Sequence, residues 1–185
     1  PMPMPESVDH GLLDEETSRA RTEVLAEQIS RDYAGLRNED FVLVGVLKGS
    51  FIFLADLARR LTVPHRVDFI ALSSYTDATD VPGAVRMIMD TRAAIPGRHV
   101  LIVEDILDTG YTLAYLQRVF NARGPASLRT FVLLSKPERR KVEVSVDYLG
   151  FEIPDAWVVG YGLDYADRYR TLPFIAELKP EVYRK

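Results

Sequence analysis

The side chains best suited to chemistry gather in a few short segments. The densest is Glu104-Asp105-Ile106-Leu107-Asp108-Thr109-Gly110-Tyr111-Thr112, directly after the apolar run Val100–Val103. Its carboxylates suit sugar hydroxyls or a magnesium ion. Leu113, Leu116 and Phe120 follow at helical spacing, so a helix begins at the end of this segment. A helix start carries free backbone N–H groups and a partial positive charge. Gly110 allows close backbone approach and the threonines add hydroxyl donors, which together suit a phosphate. One loop could therefore hold both the phosphate and the hydroxyls of a phosphorylated sugar. The plainer alternative is that Asp108 or Thr109 merely caps the helix. Two acids placed straight after apolar strand residues weigh against it, because burying charge without a partner is costly. A second segment, Leu47-Lys48-Gly49-Ser50, places a cation and exposed amides at a strand end, which suits an anion. Its plainer reading is a turn with a solvated lysine.

Composition removes several other chemistries. The chain of 185 residues has no cysteine, which excludes disulfides, thiolate zinc and iron–sulfur sites and a cysteine nucleophile. Its three histidines, His10, His65 and His99, are too scattered for zincin spacing. Neither a Walker pattern nor Gly-x-Gly-x-x-Gly is present. With 23 basic and 27 acidic residues the net charge is −4, a poor balance for nonspecific nucleic-acid binding, and no such partner is expected. No apolar run approaches the roughly 18 residues that suggest a membrane span, and Pro1–Glu6 lacks signal-peptide character. A cytoplasmic setting without membrane association is expected.

The elements that must position these groups alternate. Residues 1–11 read as irregular, and a helix is expected from about Asp14 to Leu36, with Leu25, Ile29 and Tyr33 on one face. Phe41–Leu47 is a continuous apolar run, as in strands buried on both faces of a parallel sheet. A helix follows through Leu61. Strands are expected at Arg66–Ser73, Val85–Met89, His99–Val103 and Leu128–Leu134, with a long polar loop from Ser74 to Gly83 and a basic loop from Lys136 to Lys141. Residues 142–148 and 156–163 are further strand candidates. Alternating strands and helices imply an α/β fold with a parallel sheet, whose ligands bind at the carboxyl ends of the strands.

The stretch Val-Leu-Ile-Val-Glu-Asp-Ile-Leu-Asp-Thr-Gly-Tyr-Thr-Leu (100–113) closely resembles the phosphoribosyl pyrophosphate motif of type I phosphoribosyltransferases. From about Val42 to Leu172 the chain is similar to the hypoxanthine–guanine branch of that family. The resemblance implies a single phosphoribosyltransferase domain over 1–185. Its core would span about 37–140, and a small hood would come from 1–36 and 141–185. It also implies transfer of a 5-phosphoribosyl group from phosphoribosyl pyrophosphate to N9 of hypoxanthine or guanine, with magnesium as cofactor, in a homodimer or homotetramer.

Roles follow from the same resemblance. Glu104 and Asp105 would hold the ribose hydroxyls, directly or through magnesium. Amides from Asp108 through Thr109, Gly110 and Tyr111 to Thr112 would grip the 5′-phosphate. Asp108 would be the general base at purine N7. Lys48 and Gly49 would form the pyrophosphate loop, often built in this family around a non-proline cis peptide, here between Leu47 and Lys48. Arg170 would face the same pyrophosphate. Lys136 would donate to the purine 6-oxo group, Trp157 would stack on the base, Val158 would pair with it through its backbone, and Asp164 would help coordinate a second magnesium. Ser74 and Tyr75 would open a mobile lid, although Thr76–Ala84 departs from the Gly- and Ser-rich lids of the family. Taken without the resemblance, Lys136 reads as one more lysine in a basic run, Trp157 as a core residue, and Asp164 with Arg170 as a surface ion pair. Rival assignments are a sister enzyme for xanthine or adenine, a nucleotide-sensing RNA-binding regulator of the same fold, and a magnesium phosphohydrolase.

Overall fold

The computed structural model describes residues 5–74 and 83–184. In chain order the elements are β1 (Val8–Leu13), α1 (Glu15–Asp32), β2 (Phe41–Leu47), α2 (Phe51–Arg60), β3 (Arg66–Ser74), β4 (Val85–Met89), β5 (His99–Leu107), α3 (Tyr111–Asn121), β6 (Ser127–Ser135), β7 (Tyr148–Glu152), β8 (Val158–Val159), β9 (Ile175–Leu178) and α4 (Pro180–Tyr183). Six strands form one sheet in the order β4-β3-β2-β5-β6-β7. Within it β3 and β4 are antiparallel and the other neighbours parallel. This is the α/β architecture expected from the alternation of elements.

Apolar residues of both parities are buried along the central strands, so each face has its own core. Phe41, Leu43, Leu101, Val103, Phe131 and Leu133 face α1 and α2, packing with Leu25, Ile29, Phe53 and Leu57. Val42, Val44, Val100, Ile102 and Val132 face α3, packing with Leu113, Leu116 and Phe120. Burial on both sides is why these strands carry no polar alternation. From β2 the chain winds to β3 on one side and later to β5 on the other. The carboxyl ends of β2 and β5 therefore flank a topological switch point, where an open α/β sheet leaves a crevice.

Several sequence expectations are corrected. Residues 8–13 form β1 rather than an irregular arm, because β9 supplies an antiparallel partner. Helix α1 ends at Asp32 instead of near Leu36, as Tyr33 turns to stack on Phe41 with ring centroids 4.0 Å apart. Strand β5 does not stop at Val103. It continues through the acids to Leu107, since the ladder to β6 persists past Glu104. The apolar residues of 142–147 form no strand. Val144 and Val146 cover the α3-side core, while the Lys141 and Val142 amides bond to the Thr109 carbonyl. The strand candidate 156–163 shrinks to β8, since Gly160 and Tyr161 take positive φ. The 37–140 boundaries are too narrow for the core. Helix α1 packs on α2 and the sheet, Arg21 donates to the Leu149 and Gly150 carbonyls, and β7 is the sixth strand.

The hood is thereby reduced to the small antiparallel sheet β1-β9-β8 with α4. Val8, Val159, Leu172, Ala176 and Leu178 are its core. The chain ends are tied there by Ser7, whose carbonyl accepts from the Lys179 amide and whose hydroxyl meets Tyr169 Oη at 2.6 Å. No helix among the described residues is long and apolar enough to cross a membrane.

Phe131 is fully buried and meets Phe53 edge-on at 4.8 Å. Phe131→Ala should lower the unfolding free energy by about 3–5 kcal/mol through lost burial and a residual cavity. Chemical denaturation followed by circular dichroism checks this through a lower midpoint.

Candidate active site

Strand β5 carries Glu104 and Asp105 into the crevice as part of its ladder. Glu104 is only 6% exposed, and its Oε2 has no hydrogen-bond partner. Burial and the neighbouring Asp105 charge push the Glu104 carboxyl well above its ordinary range. Burial also raises Asp105, opposed by hydrogen bonds from Glu104 and backbone amides and by the Arg170 charge. Backbone pairing, independent of side-chain polarity, holds these acids where solvation would not.

At the end of this segment the backbone opens. Gly110 is the N-cap of α3, with φ +95° and no side-chain cap bond. An added Cβ would lie 2.9 Å from the Val142 carbonyl, so glycine is required both for conformation and for space. The first N–H groups of α3, which like those of any helix lack intrahelical acceptors, therefore have no side-chain cap. Helix α1 is the contrast, its start closed by Asp14 accepting from the Thr17 amide at 2.7 Å. Asp108 and Thr109 do not cap α3, which removes the plainer reading of this loop. Asp108 instead pairs with Arg139 at 2.9 Å, and its carbonyl accepts from Arg140.

Two cavities adjoin here. One of about 300 Å³ is lined by Glu104, Asp105, Asp108, Thr109, Gly110 and Thr112, among others. The second, of about 500 Å³, is lined by Lys136, Trp157, Val158 and Asp164 among others, and shares Asp105, Ile106 and Asp108 with the first. Tyr111 lines neither cavity, and its ring lies against Gly83. Lys136 is 8% exposed, and desolvation lowers its ammonium against the pull of Asp108 and Asp155. It is not a solvated surface lysine. Trp157 is 43% exposed, so it is not a core residue either.

The residues expected to face pyrophosphate lie alongside. Leu47–Lys48 is a cis peptide. Gly49 touches Asp105 so closely that a Cβ would fall 1.7 Å from a carboxylate oxygen. Lys48 Nζ lies 3.4 Å from Asp167, and Arg170 bridges Asp167 at 2.9 Å and Asp164 at 3.2 Å. Lys48, Gly49 and Arg170 line neither cavity. Ser74 ends β3, and Tyr75 lies outside the described residues.

Among the described residues no three or more acidic or histidine side chains gather as a metal cluster. Glu104 and Asp105 form one group and Asp164 another. A magnesium ion nevertheless suits this donor set. It takes hard oxygen ligands, commonly one or two carboxylates with substrate phosphates completing the shell, and Glu104 offers a buried oxygen with no other partner.

Sequence reasoning missed Arg139, Asp155, Asp167, Tyr183 and Arg184. Arg139 belongs to the basic loop from Lys136 to Lys141, but nothing in its spacing ties it to Asp108. Asp167 sits in a turn where Ala166, Asp167 and Tyr169 all take positive φ, a geometry no local pattern announces.

A family model described as the phosphoribosyl transferase domain matches residues 12–166. The hypoxanthine-guanine phosphoribosyltransferase of Dictyostelium discoideum is 46% identical over 177 residues, covering 94% of this chain and 97% of the relative. That of Bacillus subtilis is 42% identical over 181 residues, covering 97% of this chain and 98% of the relative. The solved Trypanosoma cruzi hypoxanthine phosphoribosyltransferase in complex with the product IMP is 49% identical. It superposes with a TM-score of 0.90 and covers 98% of this chain and 100% of that one.

The buried acid pair has a consequence for stability. A carboxyl whose folded pKa is raised binds its proton more tightly folded than unfolded, so stability falls as pH rises above the unfolded value of 4.5 for Glu104. Glu104→Gln removes that penalty. In magnesium-free buffer near neutral pH the variant should be more stable than wild type. The gain should vanish below the ordinary glutamate range. Thermal melts across pH check it, and an equal gain at all pH values would contradict it.

Proposed function

The chain belongs to the phosphoribosyltransferase family, in its hypoxanthine–guanine branch. We propose that it transfers the 5-phosphoribosyl group of phosphoribosyl pyrophosphate to N9 of hypoxanthine or guanine, giving IMP or GMP and pyrophosphate. This is a purine salvage reaction. The observation that carries the reading is the meeting of two cavities at Asp105–Asp108. One suits a sugar phosphate and the other a planar base, and the new C1–N9 bond would form where they join.

In the first cavity, the bare start of α3 receives the 5′-phosphate through the amides of Thr109 to Thr112, with the helix dipole favouring the charge. Asp105, and Glu104 when ionised, accept from the ribose 2′- and 3′-hydroxyls. In the second, Trp157 stacks on the purine and Val158 pairs with it through its backbone. Lys136 donates to the 6-oxo group. An ammonium has donors and no acceptor, so it matches hypoxanthine and guanine and leaves the 6-amino group of adenine unpaired. That mismatch costs about 1–3 kcal/mol in a buried site.

The C1–O bond to pyrophosphate breaks with its electron pair leaving on pyrophosphate, and N9 supplies the pair for the new bond. Bond breaking runs ahead of bond making, so charge on the leaving group must be met early. Lys48 and Arg170 supply positive charge beside Asp105, released from Asp167 and Asp164 as the polyanion arrives. Magnesium, held by the Glu104–Asp105 pair or by Asp164 together with substrate oxygens, would supply further neutralisation of pyrophosphate. Asp108 takes the N7 proton, leaving its exposed pair with Arg139 at little cost.

The deciding experiment is initial-rate spectrophotometry of hypoxanthine, guanine, xanthine and adenine with phosphoribosyl pyrophosphate and magnesium. Turnover of the first two, with adenine slower by about ten-fold or more, is expected. Absence of turnover with all four would overturn the reading, and preference for adenine or xanthine would move the chain to a sister activity. Separately, Asp108→Asn should lower kcat about a hundred-fold or more while IMP still binds. Wild-type kcat in that variant would remove the base role.

A further inference from the structure

Trp157 is the sole tryptophan of the chain, and its indole is held from several directions. Its Nε1–H donates to the Asp164 carbonyl at 3.3 Å. Tyr165 meets it edge-on, with centroids 5.5 Å apart and planes at 87°. Tyr183 lies beside it at 5.6 Å with a 33° tilt. Tyr183 comes from α4, a single turn that no local sequence pattern places near the base site. That turn is fastened to the hood. Tyr165 donates its hydroxyl to the Val182 carbonyl at 2.9 Å, and the Leu178 amide donates to the Trp157 carbonyl at 2.8 Å. Val182 and Tyr183 pack on the hood core, and Arg184 stands over the Tyr183 ring at 5.8 Å. Tyr183 and Arg184 line the same cavity as Lys136 and Trp157.

The geometry points to the C-terminal turn as the outer wall of the purine pocket, with Tyr183 as a positioning residue that holds the Trp157 indole ready to stack. An exposed aromatic side chain free to rotate would lose that freedom when a base binds. A ring already fixed by a second ring does not incur the loss, and the difference appears in base affinity. Tyr183 acts through Trp157 and has no part in gripping the sugar phosphate. The wall is contributed by a part of the chain remote in sequence from the motif at 100–113, and it acts on one substrate of the two. This inference rests on the activity proposed above.

The test compares wild type with Tyr183→Ala, Tyr183→Leu and Tyr183→Phe. Steady-state kinetics would be run with hypoxanthine and with phosphoribosyl pyrophosphate as varied substrates, alongside fluorescence of Trp157. The alanine variant should raise the hypoxanthine KM about five-fold, the size expected for losing an aromatic pair. The KM for phosphoribosyl pyrophosphate should stay at its wild-type value, and Trp157 emission should shift to the red in the substrate-free protein. Tyr183→Leu keeps apolar bulk on the hood without a ring and should give the same KM change. Tyr183→Phe keeps the ring and should match wild type. An unchanged hypoxanthine KM in the leucine variant, an equal rise in both KM values, or a phenylalanine variant behaving like alanine would each overturn the inference while the wild-type activity stands. A wild-type protein without hypoxanthine turnover would overturn the function reading and this inference with it.

Discussion

The structure turns on the backbone ladder between β5 and β6. It continues past the last apolar residue and carries two adjacent carboxylates into a buried position. Left to their own solvation, Glu104 and Asp105 would face water, and one Glu104 oxygen indeed finds no partner. The cost of such an unsatisfied group, about 1–3 kcal/mol, is borne by the two cores on either side of the sheet. Their fully buried Phe41, Phe53, Phe120 and Phe131 keep β2, β5 and β6 fixed. Where that ladder ends, the chain turns through Gly110 into an uncapped helix. Acids, free amides and the cavity between them all follow from where one strand stops.

Around that centre the charges are arranged in weak, exchangeable pairs. Lys48 and Arg170 share Asp167, Arg170 also reaches Asp164, and Asp108 is held by Arg139. Apart from Arg170, these partners are substantially exposed, and exposed ion pairs contribute at most about 1 kcal/mol. Such pairs tie together side chains from separate segments around the acid pair, and breaking them costs little. A net charge of −4 is compatible with an anionic substrate for this reason, since local cations such as Lys48 and Arg170 weigh more at the site than the global charge.

The hood solves a different problem. A base pocket needs a flat apolar surface that is partly open, which a core cannot supply. The small sheet β1-β9-β8 is assembled from opposite ends of the chain, and β8 sets Val158 in it, next to Trp157. Folding of the proposed base wall is thus linked to the meeting of residues near 8 with residues near 178. The proposed phosphate cradle, by contrast, is local to 104–112.

That difference explains what could be read in the chain. The sequence by itself determined the parallel α/β sheet, because Phe41–Leu47, Val100–Val103 and Leu128–Leu134 are apolar without alternation. It also determined the local loop proposed as the phosphate cradle, because acids, glycine and a helix start are neighbours along 104–112 and backbone geometry alone brings them together. Tertiary structure decided the rest. It extended β5 through its acids and moved α1 and β7 into the core. It paired Arg139 with Asp108 and Asp167 with Lys48, and it brought Tyr183 to Trp157. Each of these depends on a neighbour far away in sequence, which no local periodicity encodes. Exposed charges and single aromatic rings have little intrinsic preference for position, so only the packed fold fixes which of them meet.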